Sequence, residues 1–254
     1  MPRKLTEEQI AAYQRDGFLA FDRLLPESEV DALVARLQEL VESPPTGLRI
    51  QVEPRVQRGE AQAPSYFESI RKVEGLVEND ELFLRLARHP EILPRVQDLL
   101  GEELLMFRDA LMMKPPKIGS EKPYHQDSAY WRIEPMDLCS IWVALDDATL
   151  ENGCMRIIPG SHLWGLLEHK RIRDFQVDES TLDRSGEVAV PLHRGGVLFF
   201  HSLVLHATDD NLSDRPRKAM IVSYMRASSR WTGPPQAEPN WLMLAPEVRR
   251  VRSV

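Results

Sequence analysis

Two cysteines in 254 residues, Cys139 and Cys154, are too few for a disulfide scaffold and lack the spacing of a zinc site. Both sit in apolar runs, where a buried, reduced thiol is expected. No stretch approaches the roughly 20 apolar residues that a bilayer span requires. The start Met1-Pro2-Arg3-Lys4-Leu5-Thr6 has no apolar core of the signal-peptide kind. Basic blocks are missing as well: 39 acidic residues outnumber 32 Lys and Arg, the formal net charge is −7, and the two signs are interspersed. These absences exclude a membrane-spanning protein and a disulfide miniprotein, and they disfavour a nucleic-acid partner. The expectation is a cytoplasmic globular protein with 43% hydrophobic residues, enough for one large domain or two small ones; its oligomeric state stays open.

The first hundred residues read as helical. Thr6-Glu7-Glu8-Gln9 has the form of a capping box, and Asp16-Gly17 stops the helix it opens. Phe18 to Phe21 reads as extended chain. From Pro26-Glu27 onward, Val30, Leu33, Val34, Leu37, Leu40 and Val41 recur at intervals of three and four, which gives a helix one apolar stripe for packing. Residues 44–66 show no sustained period and are expected to be a long loop, of the kind that often serves as a lid. Helices are expected again from Asp80 to Arg88 and from Pro90 to Leu100. The texture then changes to short β-branched and aromatic runs between Gly, Pro and Asn turns. Candidate strands are Leu104 to Met113, Leu138 to Leu145, Met155 to Ile158, Val188 to Val190, Val197 to Phe200, Leu203 to His206 and Ala219 to Arg226. The reading is α+β: one domain spanning 1–254, with helices over 1–103 buttressing an antiparallel sandwich or barrel over 104–230, followed by a C-terminal extension over 231–254.

Seven histidines in a chain with 39 acidic residues give about one His-X-Asp/Glu match by chance, and there are two. In His89-Pro90-Glu91 the proline and glutamate suit the first turn of a helix, so that match reads as structural. His125-Gln126-Asp127 instead follows a Pro/Gly-rich turn at the mouth of the β region. In extended chain, residues two apart point to the same side with Cα atoms roughly 6.5 to 7 Å apart, so His125 and Asp127 can take adjacent positions on one metal ion. A second imidazole would complete a two-histidine, one-carboxylate face, which suits Fe(II) and leaves positions open for a chelating cosubstrate and O2. His206 ends the apolar run from Val197 and is the best candidate, with His201 and His193 also open. His162, in Pro159-Gly160-Ser161-His162, reads as a turn residue bonded to the backbone.

Tyr124-His125-Gln126-Asp127, Trp142 through Leu150-Glu151-Asn152-Gly153-Cys154, Ile158-Pro159-Gly160-Ser161-His162, and Gly195 through His206 to Asn211, Ser213 and Arg217 occur in this order. Together they resemble the phytanoyl-CoA dioxygenase family of Fe(II)/2-oxoglutarate oxygenases. The N-terminal helices and the lysine of Ile70-Arg71-Lys72-Val73 are also similar to that family, so the likeness covers nearly the whole chain. The resemblance implies a double-stranded β-helix (jelly roll) holding Fe(II) through His125, Asp127 and His206, and it settles the distal histidine as His206. It implies oxidation of a small organic molecule, usually hydroxylation, at the expense of O2 and of 2-oxoglutarate, which becomes succinate and CO2. Desaturation, epoxidation or cyclisation are variants of the same chemistry, and a non-oxidative metal-binding jelly roll is the alternative. Because Asp127 is present where halogenating relatives carry a small residue, halogenation is not expected.

By the same resemblance Arg217 grips the far carboxylate of 2-oxoglutarate, a task that suits the planar fork of a guanidinium. Lys72, Trp142 and Thr208 match further positions that contact the cosubstrate. Arg215, before Pro216, reads as a solvated turn cation. The family likeness does not carry its acyl-CoA substrate with it. His169-Lys170-Arg171-Ile172-Arg173 reads as a solvated loop. Arg156 alternates with Met155 and Ile157, so it faces either the lumen, as a partner for an anionic substrate group, or the outside.

Overall fold

The computed structural model describes residues 3–233 and 250–251. Thr6 opens α1 (Glu7–Asp16) with the reciprocal bonds its motif predicts: its hydroxyl accepts from the Gln9 amide while the Gln9 side chain accepts from the Thr6 amide. Gly17, at φ 83°, ends the helix and turns the chain into β1 (Phe18–Phe21). The apolar stripe of α2 (Glu27–Glu42) is buried at Val30, Leu33, Leu37, Leu40 and Val41. Residues 44–66 are not the continuous loop expected from composition. They contain β2 (Arg49–Val52) and α3 (Pro54–Gln57), and β2 pairs with β3 (Ile70–Glu74) to widen a sheet. Four alternating residues are too short a run to signal a strand, and the pairing with β3 supplies what local pattern does not.

After α4 (Leu76–Asn79) and α5 (Glu81–Ala87), the last of this group, α6 (Leu93–Leu100), begins three residues later than Pro90 suggests. His89 explains the delay. Its Nδ1 accepts from the Glu91 amide and its Nε2 meets Glu29 at 3.0 Å, so Pro90 and Glu91 lie in a turn and the motif is structural.

The remaining strands are β4 (Leu104–Lys114), β5 (Lys122–His125), β6 (Ile133–Glu134), β7 (Cys139–Ala144), β8 (Met155–Ile157), β9 (Lys170–Arg171), β10 (Phe175–Gln176), β11 (Val188–Val190), β12 (Val197–His201), β13 (His206–Thr208), β14 (Arg217–Arg226), β15 (Arg230–Trp231) and β16 (Arg250–Val251). The larger sheet runs β1-β12-β7-β14-β4-β3-β2, with β16 against β4, and a smaller one runs β11-β8-β13-β5, all antiparallel. Leu203 to Leu205 form a turn and not the strand expected there. The Val204 amide bonds to the His201 carbonyl and the Leu203 amide to His201 Nδ1, so pairing resumes only at His206.

Alternation sorts the larger sheet into two faces. Ile141, Val143, Val197, Phe199, Met220, Val222 and Tyr224 pack against the helices. Trp142, Ala144, Leu198, Phe200 and Ala219 pack against Met155, Ile157 and Val190 of the smaller sheet. Two sheets facing each other in this way, closed over one face by helices, form the jelly roll. Both cysteines are buried and unpaired. Most of the C-terminal extension expected at 231–254 lies outside the described residues. Among the described residues no helix is long and apolar enough to cross a membrane.

Gly17 joins the helical layer to the sheets at close quarters. Its carbonyl accepts from the His201 amide, and a Cβ there would stand 2.6 Å from His162 Nδ1. A left-handed backbone and a steric clash act together, so Gly17→Ala is expected to lower stability by about 2 kcal/mol. Urea unfolding checks this; a loss under about 0.5 kcal/mol would show that the junction relaxes freely.

Candidate metal centre

β5 and β13 are neighbours in the smaller sheet, and their register sets His125 directly opposite His206. Residues paired in this way point to one face, and the two imidazole centroids are 4.2 Å apart. Immediately after β5 a single turn of 3-10 helix, Asp127–Tyr130, brings the Asp127 carboxylate back toward both rings. Asp127 Oδ1 lies 3.8 Å from His125 Nε2 and 3.9 Å from His206 Nε2. One donor atom from each residue falls within 4.8 Å of the others, and all three residues are buried.

The hydrogen bonds behind this cluster fix its chemistry. His125 Nδ1 lies 2.8 Å from the Pro123 carbonyl and His206 Nδ1 lies 3.0 Å from the Val204 carbonyl. A carbonyl only accepts, so each Nδ1 carries the hydrogen and each Nε2 presents a lone pair to the cluster. Burial and the neighbouring His206 hold His125 well below the usual imidazole range, which keeps that lone pair free. Two neutral Nε2 atoms and one carboxylate oxygen on one side of a common point suit a divalent cation.

Three supports around the cluster carry no sequence signal of their own. Ser140 on β7 donates to Asp127 Oδ2 at 3.5 Å and bonds Ser223 of β14 at 2.8 Å, so Oδ1 is left facing the imidazoles. Gln126, fully buried between the two motif residues, donates through Nε2 to the Gly165 and Leu203 carbonyls and accepts from the Leu167 amide. It thereby ties the first two donors to the turn that delivers His206. His169 is not part of a solvated loop: its Nε2 accepts from the Gln126 amide, while Lys170 to Arg173 are exposed as expected.

At the far end of the inner face, Arg217 is 2% exposed and stacks over Trp142 at 5.3 Å. Its Nε and Nη1 have no partner. Burial lowers its pKa to about 10, so it remains a cation at neutral pH. Directly opposite on β4 stands Lys114, also buried, whose Nζ donates to the Ser120 and Asp209 carbonyls. Neither Arg217 nor Lys114 forms an ion pair among the described residues; burial and the neighbouring Arg217 push the Lys114 ammonium well below its usual range, so Arg217 is the charge that this end of the inner face offers to an anion. Thr208 is buried on β13 two residues beyond His206. Lys72 shares a row with Met112 and Ala219 and meets Glu74 at 3.1 Å.

Other residues singled out from the sequence fall outside this site. Arg156 is a correction to its lumen-facing reading. Met155 and Ile157 take the inner positions of β8, and the Arg156 guanidinium pairs with Glu187 and Asp209 on the opposite side. His193 pairs with Asp22 near the surface. His201 packs against His162, which bonds the Gln14 carbonyl, in a separate buried cluster. Arg215 is exposed.

A model of the family described as phytanoyl-CoA dioxygenase matches residues 13–219. "Phytanoyl-CoA dioxygenase, peroxisomal" of Homo sapiens is 30% identical over 244 residues, covering 89% of this chain and 70% of the human one. "Phytanoyl-CoA dioxygenase domain-containing protein 1" of Bos taurus is 28% identical, covering 96% and 97% of the two chains. Among solved structures, EctD from S. alaskensis with bound Fe superposes with a TM-score of 0.80 at 25% identity over all of this chain and 88% of its own. The non-heme alpha ketoglutarate dependent carbocyclase SnoK from nogalamycin biosynthesis gives 0.74 at 26% identity, covering 92% and 90%.

His125→Ala, Asp127→Ala and His206→Ala are each expected to abolish Mn(II) binding by calorimetry while leaving the far-ultraviolet dichroism unchanged, and Ser140→Ala should weaken it by about tenfold. His89→Ala is the control, with wild-type affinity. Wild-type Mn(II) affinity in any of the first three would remove that residue from the centre.

The separate histidine cluster makes a pH prediction. Burial lowers His201 to about 4, against about 6.5 in the unfolded chain. Its folded pKa is depressed, so the unfolded state binds the proton first; stability is full above pH 6.5 and declines as the pH falls toward 4. The loss at pH 5 is about 2 kcal/mol. Denaturant titrations of metal-free wild type and His201→Gln at pH 7.5 and 5 check it, the variant losing less; equal losses would contradict it.

Proposed function

The chain belongs to the phytanoyl-CoA dioxygenase family, and from that premise we propose that it is a non-haem Fe(II)- and 2-oxoglutarate-dependent dioxygenase that hydroxylates a small organic molecule. The observation that carries the assignment to residues is the convergence of His125 Nε2, His206 Nε2 and Asp127 Oδ1, with the buried Arg217, its Nε and Nη1 without a partner, at the far end of the inner face of the larger sheet. His125, Asp127 and His206 would hold the metal on one face. Arg217 would take the distal carboxylate of 2-oxoglutarate through its fork, with Trp142 fixing the guanidinium plane and Lys114 standing opposite it on β4. When bound, Fe(II) and 2-oxoglutarate supply O2 activation, coupling decarboxylation to succinate and CO2 with oxidation of the substrate.

The protein's own part is to bind, orient and keep water out. The Pro123 and Val204 carbonyls hold both rings in the tautomer that presents Nε2. Ser140 orients the carboxylate. Phe200 packs against His206 at 5.0 Å and, with Leu198, Ile157 and Val204, forms a dry wall. Thr208, buried two residues beyond His206, and Lys72, in the row of Ala219, would extend the cosubstrate site. Two buried thiols accord with a reducing compartment, and the proposal places the enzyme in the cytoplasm as one domain.

Arg217→Ala should weaken 2-oxoglutarate binding at least about tenfold, the loss of a charge-assisted pair. Arg217→Lys should recover little of it, and Arg215→Ala should change nothing. Anaerobic titration of 2-oxoglutarate into the Fe(II) protein, following the metal-to-ligand charge-transfer band, reads all three. Equal affinity in wild type and Arg217→Ala would sink the assignment.

A further inference from the structure

β4 and β14 run in continuous register from Arg217 opposite Lys114 to Ser223 opposite Arg108, and there the ladder slips: Tyr224 pairs with Met106, leaving Phe107 as an extra residue. A bulge of this kind bends a strand and re-aims its side chains. Arg108 stands in one row with Ser223 and Ser140, whose hydroxyls bond each other and reach Asp127, so it shares their inner face. At about 4.8 Å per strand, its Cα is roughly 10 Å from that of Ser140, within reach of an extended arginine. The guanidinium lies over Trp131 at 5.4 Å. Tyr130, next to Trp131 in sequence, packs its ring against His125 at 5.9 Å.

Its partners distinguish Arg108 from the other basic residues near the metal-binding residues and along the inner face. Lys72 is paired with Glu74, Lys122 with Asp174, and Arg71 with Glu53. Arg217 and Lys114 form the cosubstrate end. Asp109, the carboxylate next to Arg108 in sequence, is turned to the opposite face and caps α4 through the Leu76 and Val77 amides. Among the described residues no carboxylate lies within ion-pair distance of Arg108, and it is half-buried. A cation is thus held by stacking on a buried indole in the row that reaches Asp127, at the end of the inner face away from Arg217.

We propose that Arg108 is a substrate-binding residue that anchors an oxyanion, a carboxylate or a phosphate ester, on the molecule to be oxidised. The proposal rests on the reading of this cavity as an oxygenase site and names its substrate class as organic anions. The planar fork supplies two parallel donors to such a group, and Trp131 fixes its plane. Neutral isosteres lack the charge that the fork requires.

Arginine-specific labelling by phenylglyoxal, with Arg108 followed by peptide mass spectrometry, tests this on the intact protein saturated with 2-oxoglutarate. Arg108 should be labelled, hexanoate or hexyl phosphate should slow its labelling at least about fivefold, and hexanamide should not. The stronger of the two anions identifies the oxyanion. Failure of Arg108 to react, or equal protection by hexanoate and hexanamide, would overturn the proposal. In Arg108→Gln the 2-oxoglutarate charge-transfer band should titrate as in wild type. Weakening of that band alongside protection by 2-oxoglutarate itself would make Arg108 a cosubstrate residue and overturn the assignment to substrate. Loss of the band in unsubstituted protein would instead count against the oxygenase reading, while the labelling of Arg108 would still be read without it.

Discussion

The register of β5 against β13 is the constraint on which the site depends. Setting His206 opposite His125 places two imidazoles 4.2 Å apart on one face. A slip of one residue would turn one ring into the opposite layer. The two rings meet at a tilt of 50°, and the carbonyl behind each Nδ1 fixes the orientation in which Nε2 faces the cluster. Gln126 then fastens the strand end of the first ligand pair to the turn before the second. The jelly roll acts as a frame that holds a register, and the helices seal its outer face.

Along the inner face of the larger sheet, function is distributed by rows. Arg217 opposite Lys114 forms one end, the rows Ala144–Ala219–Met112–Lys72 and Trp142–Ile221–Ala110 the middle, and Ser140, Ser223 and Arg108 the row that reaches Asp127. Trp142, Ala144 and Ala219 of these rows pack against Met155 and Ile157 of the smaller sheet. A dicarboxylic cosubstrate between the metal ligands and Arg217 fits this polarity, because a buried cation without a protein partner is stabilised by an anion that arrives with its own charge.

Much of this was legible in sequence where a local rule applied. The capping box at Thr6, the stripe of α2 and the left-handed stop at Gly17 are properties of a few neighbouring residues, and they stand where the sequence places them. His89-Pro90-Glu91 is structural, but for a reason other than helix-start chemistry: Pro90 and Glu91 form a turn ahead of α6, and His89 is held by Glu29 and the Glu91 amide. What was not legible depends on pairing between distant segments. β2 is a strand because β3 accepts it, and Leu203 to Leu205 form a turn because His201 captures the Leu203 and Val204 amides and Ser161 the Leu205 amide. Arg156 was ambiguous because alternation says that it differs from Met155 and Ile157 but not which of them faces in. Ser140, Lys114 and Arg108 take their roles from cross-strand partners more than 80 residues away or from a bulge, and no local pattern signals either.

The most direct measurement is an anomalous difference map at the iron absorption edge from crystals grown anaerobically with Fe(II) and 2-oxoglutarate. The expected result is one iron peak bonded to His125 Nε2, His206 Nε2 and Asp127, with the cosubstrate reaching from it to Arg217. An iron peak elsewhere, or 2-oxoglutarate bound without contact to Arg217, would contradict the assignment of this cavity.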